Sequence, residues 1–208
     1  MLEPERYYKK MWYWVFRFVT HVAMRVFFNL KVKGLQNIPK KTNFIIAVNH
    51  TSYMDPFVVS SVISKKIYWI ALKGLYSSAW IRWFMYGTDT LPVGNASEKL
   101  ICLLMDNKHV GIFPEGTRTH DGKLRDFKRG AALLAIRTGR PIVPCAIIGA
   151  YEAYPVKARF PKFFGSITIK IGPPQYLLKE FEDQIDDIVL QEGTFKLRNT
   201  IKEMLDAG

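Results

Sequence analysis

Cysteine is scarce. Cys102 and Cys145 are the only two in 208 residues, and neither stands in a Cys-x-x-Cys pair or a metal-spaced set. A disulfide framework and a thiolate metal site are therefore excluded. Both lie in apolar runs and are expected to be buried free thiols. The four histidines, His21, His50, His109 and His120, show no His-Glu-x-x-His spacing, so no metal is expected. A Gly-x-Ser-x-Gly nucleophile elbow is missing, and neither cysteine has an evident base partner. Acidic residues are few: 18 against 30 Lys and Arg, a formal charge of +12. That surplus favours an anionic partner, whether nucleic acid, an anionic membrane or a phosphorylated substrate. No nucleic-acid motif is present, so nucleic acid is not expected. Repeats, low-complexity tracts and internal linkers are absent.

What is present is a large apolar fraction. Hydrophobic residues make up 49% and aromatics 14%, enough for one domain with a sizeable core and too much for a disordered chain. Residues 1–30 differ from the rest. Met11-Trp12-Tyr13-Trp14-Val15-Phe16 and Phe18-Val19 are bulky, and Val22, Ala23, Val26, Phe27 and Leu30 continue the pattern. Lys10, Arg17, His21 and Arg25 recur at seven- and four-residue steps, which on a helix makes one narrow polar stripe. A membrane span needs about 20 mostly uncharged residues, and Arg17 and Arg25 interrupt any such window. The segment also lacks the small-residue cleavage site of a signal peptide. It reads as an amphipathic helix lying in a bilayer interface, with Trp12, Trp14, Phe16, Arg17 and Phe27 as the contact residues. A helix that covers the domain's own core is the alternative.

From residue 31 to 208 strands and helices alternate. Strands are expected at Phe44–Asn49, Ile67–Leu72, Val110–Phe113, Ile142–Ile148 and Ile167–Ile171. Helices are expected at Pro56–Ile63, Ser97–Asn107, Lys128–Thr138 and about Glu182–Leu205, with Ser97 as a cap and Gly139 as a stop. The pattern predicts an α/β fold, a mostly parallel sheet flanked by helices.

Two strand ends carry chemistry. Asn49-His50-Thr51-Ser52-Tyr53-Met54-Asp55 follows the run Phe44–Val48 and sets a histidine five residues ahead of an aspartate. At the carboxyl edge of an open sheet, Asp55 can hold one ring nitrogen of His50 and leave the other to take a proton. Phe113-Pro114-Glu115-Gly116-Thr117-Arg118 follows Val110–Ile112. Gly116 permits close backbone approach to a ligand, and the Arg118 fork suits phosphate. Phe127-Lys128-Arg129-Gly130 at a helix start offers amide N–H groups and two cations to an anion. Lys73 follows a strand and is expected on the same edge. A structural histidine, a salt-bridged turn and solvated lysines would account for the same residues separately.

Together these segments resemble the glycerolipid acyltransferases of the PlsC type, which include the 1-acyl-glycerol-3-phosphate acyltransferases. His50-x-x-x-x-Asp55 looks like their first block, Phe113–Arg118 matches the third without a mismatch, and Ile142-Val143-Pro144-Cys145-Ala146 resembles the fourth. The likeness covers about Lys31 to Pro174. One departure concerns the second block, where Asn95 stands in place of the usual arginine.

The resemblance implies a membrane-associated enzyme that acylates lysophosphatidic acid from acyl-CoA or an acyl carrier protein thioester, with no cofactor. It implies His50 as general base, Asp55 as its orienting partner, and Glu115, Gly116, Thr117, Arg118, Lys73 and Lys128 around the acceptor. Oxyanion donors are expected near Gly116 or Lys73. The small size suggests the cytoplasmic face of a bacterial plasma membrane. Asn95 keeps another lysolipid acceptor open. A thioester hydrolase and a non-catalytic basic membrane-binding module are the other readings.

Overall fold

The fold grows from a strand that is apolar on both faces. Ile45–Val48 is fully buried, as a strand covered by helices on two sides must be. A computed structural model describes residues 4–71, 91–92, 96–177 and 186–207. Among these, seven strands form one sheet: β1 (Lys31–Lys33), β2 (Ile45–Val48), β3 (Ile67–Ala71), β4 (Leu91–Pro92), β5 (His109–Ile112), β6 (Ile142–Ile148) and β7 (Thr168–Ile171). Their order is β1-β7-β6-β2-β5-β3-β4. Every pairing is parallel except β6 with β7. Pro144 stands just beyond the last β6–β7 pair, Cys145 with Ile171, and its carbonyl accepts the Gly172 N–H at 2.9 Å, so its missing N–H falls at the end of that ladder.

The helices are α1 (Pro4–Phe28), α2 (Asp55–Val62), α3 (Ala96–Met105), α4 (Gly130–Thr138), α5 (Ala150–Ala153) and α6 (Asp187–Asp206). Side-chain alternation along β2 divides the core. Ile46 and Val48 join α1 and α2, whereas Ile45 and Ala47 join α3, α4 and α6.

The expected fold class holds, and the five expected strands fall within two residues of their predicted bounds. β1, β4 and α5 were not anticipated; at three, two and four residues they are too short to carry a periodic signal. Gly139 ends α4 in the left-handed conformation, φ 66°, with its N–H on the Ala135 carbonyl. Ser97 does not cap α3, because that helix already begins at Ala96. Cys145 is buried, but Cys102 is exposed: it lies on the outer side of α3, whose Leu100 and Leu104 turn inward. Leu72, Lys73, Asn95 with most of the second block, and the expected start of α6 at Glu182 lie outside the described residues.

The amino-terminal helix turns part of the expected polar stripe toward the body: Arg17 and His21 are half-buried, whereas Arg25 is exposed. Arg17 Nε donates to the Ile63 carbonyl at 3.2 Å and Nη2 to Val62, and His21 Nδ1 lies 3.1 Å from the Ser61 carbonyl. The carbonyls at the end of α2 have no helical partners, and the Arg17 guanidinium suits that negative end. Phe16 is a further correction. It is only 1% exposed and belongs to the core with Met24 and Phe28, so it is not available to a bilayer. Trp12, Trp14, Val15, Phe18, Val19, Val22, Val26 and Phe27 point outward instead. Residue 30 therefore marks a change of composition; in packing, α1 is continuous with the body.

The start of β5 carries a titratable group. His109 packs its ring on Phe44, centroids 4.5 Å apart. Burial, then the Lys65 charge, lowers its pKa from 6.5 to about 4. The folded state keeps His109 neutral where the unfolded chain would protonate it. The stability from this group is complete above pH 6.5 and is lost as pH falls toward 4. Urea midpoints measured at pH 7.5 and pH 5 should therefore drop less for His109→Leu than for the parent protein. Equal drops would exclude His109 as a source of acid sensitivity.

Candidate active site

Parallel pairing of β2 and β5 brings their carboxyl ends to the same edge, with Ile45 opposite Val110 and Ala47 opposite Ile112. The two motif segments leave from there. Asn49 makes the transition out of β2. Its side-chain amide donates to the Ile147 carbonyl and accepts from the Ile147 N–H, at 3.0 and 2.7 Å, so the side chain extends the ladder after the backbone has turned away.

His50 then meets Asp55 at the first turn of α2. Nδ1 lies 2.9 Å from Asp55 Oδ2. The same oxygen accepts the Thr51 and Ser52 amides, both at 2.8 Å. An oxygen that already accepts two N–H groups is an acceptor for the third, so Nδ1 carries the proton and Nε2 is the basic nitrogen. Asp55 is fully buried at a helix N-terminus. Its other oxygen, Oδ1, has no hydrogen-bond partner.

The imidazole is held from its face as well. Phe113 stacks on it with centroids 3.8 Å apart and planes 14° apart, and Trp69 stacks on Phe113 at 4.9 Å. Gly111 makes this sandwich possible, since a Cβ there would stand 2.6 Å from the Trp69 ring. The ring retains partial exposure, 17% of its side chain, at the open edge.

The third-block residues divide into structural and open groups. Glu115 Oε1 accepts the His50 N–H at 2.7 Å, and Oε2 accepts the Arg125 N–H at 3.0 Å. Both oxygens are committed and the residue is buried, so Glu115 clamps the two loops together and does not face an acceptor. Burial is the largest influence on its carboxyl and raises the pKa; the His50 and Arg125 amides oppose it. Gly116 adopts φ 77°, and a Cβ there would lie 2.8 Å from Lys128 Cε and Nζ. Its N–H is spent on the Phe113 carbonyl, which removes it as an oxyanion donor. Thr117 is exposed and accepts from Arg125 Nη1 at 2.9 Å. Arg118 lies flat over Tyr53, its guanidinium carbon 3.5 Å from the ring centroid, and its buried Nη1 has no partner. Of the two cations expected at the start of α4, Lys128 stays beside Gly116, and Arg129 pairs with Asp187 of α6 at 2.8 Å.

The geometry thus joins His50, Asp55, Glu115, Gly116, Thr117, Arg118 and Lys128 at one edge; Lys73 lies outside the described residues. Sequence reasoning missed Tyr53, Phe113 and Trp69. Phe113 was visible inside its motif, but nothing in the spacing indicated a stack on His50.

A protein-family model described as Acyltransferase matches residues 29–148. The chain is 32% identical over 163 residues to the 1-acyl-sn-glycerol-3-phosphate acyltransferase of Bacillus subtilis, covering 73% of this chain and 78% of that protein. It is 28% identical to the enzyme of the same name from Borreliella burgdorferi, over 82% of this chain and 72% of that one. The chloroplastic 1-acyl-sn-glycerol-3-phosphate acyltransferase of Brassica napus is 26% identical, but the chain spans only 52% of its length. It likewise spans about half, 49%, of a chloroplastic relative from Arabidopsis thaliana. Among solved structures, the crystal structure of the 1-acyl-sn-glycerophosphate (LPA) acyltransferase PlsC from Thermotoga maritima has a TM-score of 0.75 and 26% identity, covering all of this chain and 84% of that one.

The Glu115 clamp is directly testable. In Glu115→Gln one amide oxygen can accept a single backbone N–H, while the amide NH2 opposes the other donor. A buried donor left unsatisfied costs about 1–3 kcal/mol. Thermal or urea unfolding of Glu115→Gln should show a loss of that size, and parental stability would show that the two amides are not held by this carboxylate.

Proposed function

The chain belongs to the acyltransferase family, and we propose that it transfers a fatty acyl group from an acyl thioester to the free hydroxyl of lysophosphatidic acid, giving phosphatidic acid. The observation that carries this reading is the His50–Asp55 pair, 2.9 Å apart on the edge that also presents Arg118. Asp55 fixes the tautomer, the Phe113 stack fixes the ring plane, and Nε2 is left basic at an open edge. In the proposed reaction Nε2 takes the acceptor hydroxyl's proton as its oxygen attacks the thioester carbonyl. The C–S bond then breaks, and the proton passes from the imidazolium to the departing thiolate. Neither cysteine is needed. Cys145 is buried, and burial then the Asp55 charge push its thiol further from ionising. Tyr53 holds the Arg118 plane, leaving an edge of the guanidinium for the acceptor's phosphate, and Lys128 adds charge beside it.

We further propose that α1 lies on an anionic membrane surface. No helix among the described residues is long and apolar enough to cross a bilayer. The outward row of Trp12, Trp14, Val15, Phe18, Val19, Val22, Val26 and Phe27 is nonetheless larger than single surface hydrophobics require, and it supports an interfacial placement.

The direct experiment is mass spectrometry of lipid products from the purified protein, given a panel of lysolipids and both acyl-CoA and acyl carrier protein donors. Phosphatidic acid formed only with lysophosphatidic acid supports the reading. Another acylated lysolipid would reassign the acceptor, and thiol release without acceptor dependence would make it a hydrolase. His50→Ala should lower turnover about 10²–10⁴-fold, the usual value of a general base, with the fold retained. Near-parental turnover would rule the mechanism out. Arg118→Lys keeps the charge but loses the fork. It should raise the acceptor KM with little change for the donor; equal weakening of both substrates would contradict a phosphate contact. Replacing Trp12, Trp14 and Phe18 with Ser should weaken vesicle binding strongly, and high salt should weaken it only in part, because salt screens charge and not apolar burial. Unchanged vesicle binding in that variant would remove α1 from the membrane.

A further inference from the structure

One exposed apolar segment is explained neither by the core nor by the reacting groups. Between α5 and β7 the chain runs Pro155-Val156-Lys157-Ala158-Arg159-Phe160-Pro161-Lys162-Phe163-Phe164-Gly165, with phenylalanines and cations interleaved and no acid. Phe160, Phe163 and Phe164 are 69%, 53% and 82% exposed. Loops of folded proteins rarely turn three large rings to water together. The rings are held there by a fastened backbone. The Lys162 N–H donates to the Ala153 carbonyl at 2.7 Å, and the Phe164 N–H to the Phe27 carbonyl at 2.7 Å. Phe164 also adopts φ 66°, a left-handed conformation unfavourable for a bulky side chain, and gains no burial from it.

The loop is continuous with the outward face of α1. Phe27 meets Phe163 and Phe164 edge-on, with centroids 5.4 and 6.2 Å apart. Arg159 lies over Phe160 at 5.4 Å, while Lys157, Arg159 and Lys162 are all exposed. We propose that residues 155–165 form a second contact with an anionic lipid bilayer, in which Phe160 and Phe164 enter the acyl region and Lys157, Arg159 and Lys162 meet headgroup phosphates. The proposal rests on the membrane reading of α1 and extends it to a surface of two elements. A bilayer is favoured over a protein partner by the composition: aromatic rings to bury, cations beside them, and no carboxylate to repel phosphate.

The position of the loop gives this contact a consequence for the site. It springs from Tyr154, whose carbonyl accepts the Ser52 hydroxyl at 2.8 Å and whose ring lies 5.7 Å from Tyr53. Tyr53 in turn carries Arg118. A bilayer held at the loop would present a lysolipid headgroup toward the phosphate side of the site without release into water.

The test measures binding of the full chain to vesicles of phosphatidylcholine with and without phosphatidylglycerol, for three variants whose folding is checked by thermal unfolding. Phe160→Ser/Phe164→Asn removes the two most exposed rings and leaves Phe163, which packs on Phe28 at 5.8 Å, in place. Asn tolerates the left-handed backbone. This variant should bind both vesicle types about tenfold or more weakly, the loss expected for two phenylalanines no longer buried. Lys157→Gln/Arg159→Gln/Lys162→Gln should lose on the order of fivefold per charge on phosphatidylglycerol vesicles, with little change on pure phosphatidylcholine. The third variant is the α1 triple replacement. If it releases the protein while both loop variants bind like the parent, the loop proposal is overturned and the α1 reading survives. If the loop variants release it and the α1 variant does not, the α1 reading fails and the loop stands as a membrane contact. Parental binding by all three overturns both. A change from dimer to monomer in the double phenylalanine variant, without altered vesicle binding, would assign the loop to self-association and overturn the proposal.

Discussion

A single buried oxygen, Asp55 Oδ2, organises the site. It receives His50 Nδ1 and the Thr51 and Ser52 amides, all within 2.9 Å. Three donors on one acceptor impose a tight turn between the end of β2 and the start of α2. That turn puts the imidazole at the sheet edge, its tautomer already chosen. A buried carboxylate with so many partners is tolerable only because the helix start supplies amides and a positive dipole end. Asp55 is therefore as much a folding element as a partner for His50. Its Oδ1, buried without a hydrogen bond, shows that the charge is satisfied from one side.

The second organising carboxylate, Glu115, does between strands what Asp55 does within one loop. It ties the backbone at His50 to that at Arg125, and the Thr119 N–H reinforces the join by donating to the His50 carbonyl at 2.9 Å. The loops after β2 and β5 are thus tied to each other at three backbone positions. This arrangement could be read only in part from the sequence. A carboxylate beside a glycine and an arginine suggested ligand contact, because residue type and spacing do not reveal where a side chain's acceptors are spent. The pairing of His50 with Asp55 was legible because it is local, five residues apart at a strand end. The Tyr53–Arg118 and Trp69–Phe113–His50 stacks were not legible, since each joins segments that only the folded sheet brings together.

The amino-terminal helix shows the same limit in another form. Periodicity separates polar from apolar positions but does not say which set faces the protein. Arg17 and His21 read as part of a polar stripe at the level of lipid headgroups, yet the last turn of α2 offers carbonyls that need donors, and both side chains reach them. Once Arg17 and His21 turn toward α2, the wide apolar surface divides. Tyr13, Phe16, Met24 and Phe28 go to the core, and the ring-rich remainder is left outside. The two central strands β2 and β6, by contrast, were readable almost residue by residue, because they are apolar on both faces, while the short β1 and β4 were not.

The charge surplus takes on a different meaning with these placements. A net +12 suggests one basic patch, but the cations do several separate jobs. Arg17 closes α2, Arg129 pairs with Asp187, Arg198 reaches Asp126 at 3.3 Å, and Arg125 contacts Thr117. The two exposed ion pairs are worth about 0–1 kcal/mol each, whereas Arg17 and Arg125 bond neutral groups and keep their full charge. Two groups of cations bear on the proposed reaction. Arg118 and Lys128 stand at the sheet edge with His50, and Lys157, Arg159 and Lys162 stand on the aromatic loop. A lysolipid in the proposed reaction carries its phosphate to the first and would be drawn from a bilayer held by the second. Tyr53 and Tyr154, 5.7 Å apart, physically connect the two. Part of a charge surplus that looks diffuse in the composition thus stands, in the fold, where a phosphate would arrive and where it would be captured.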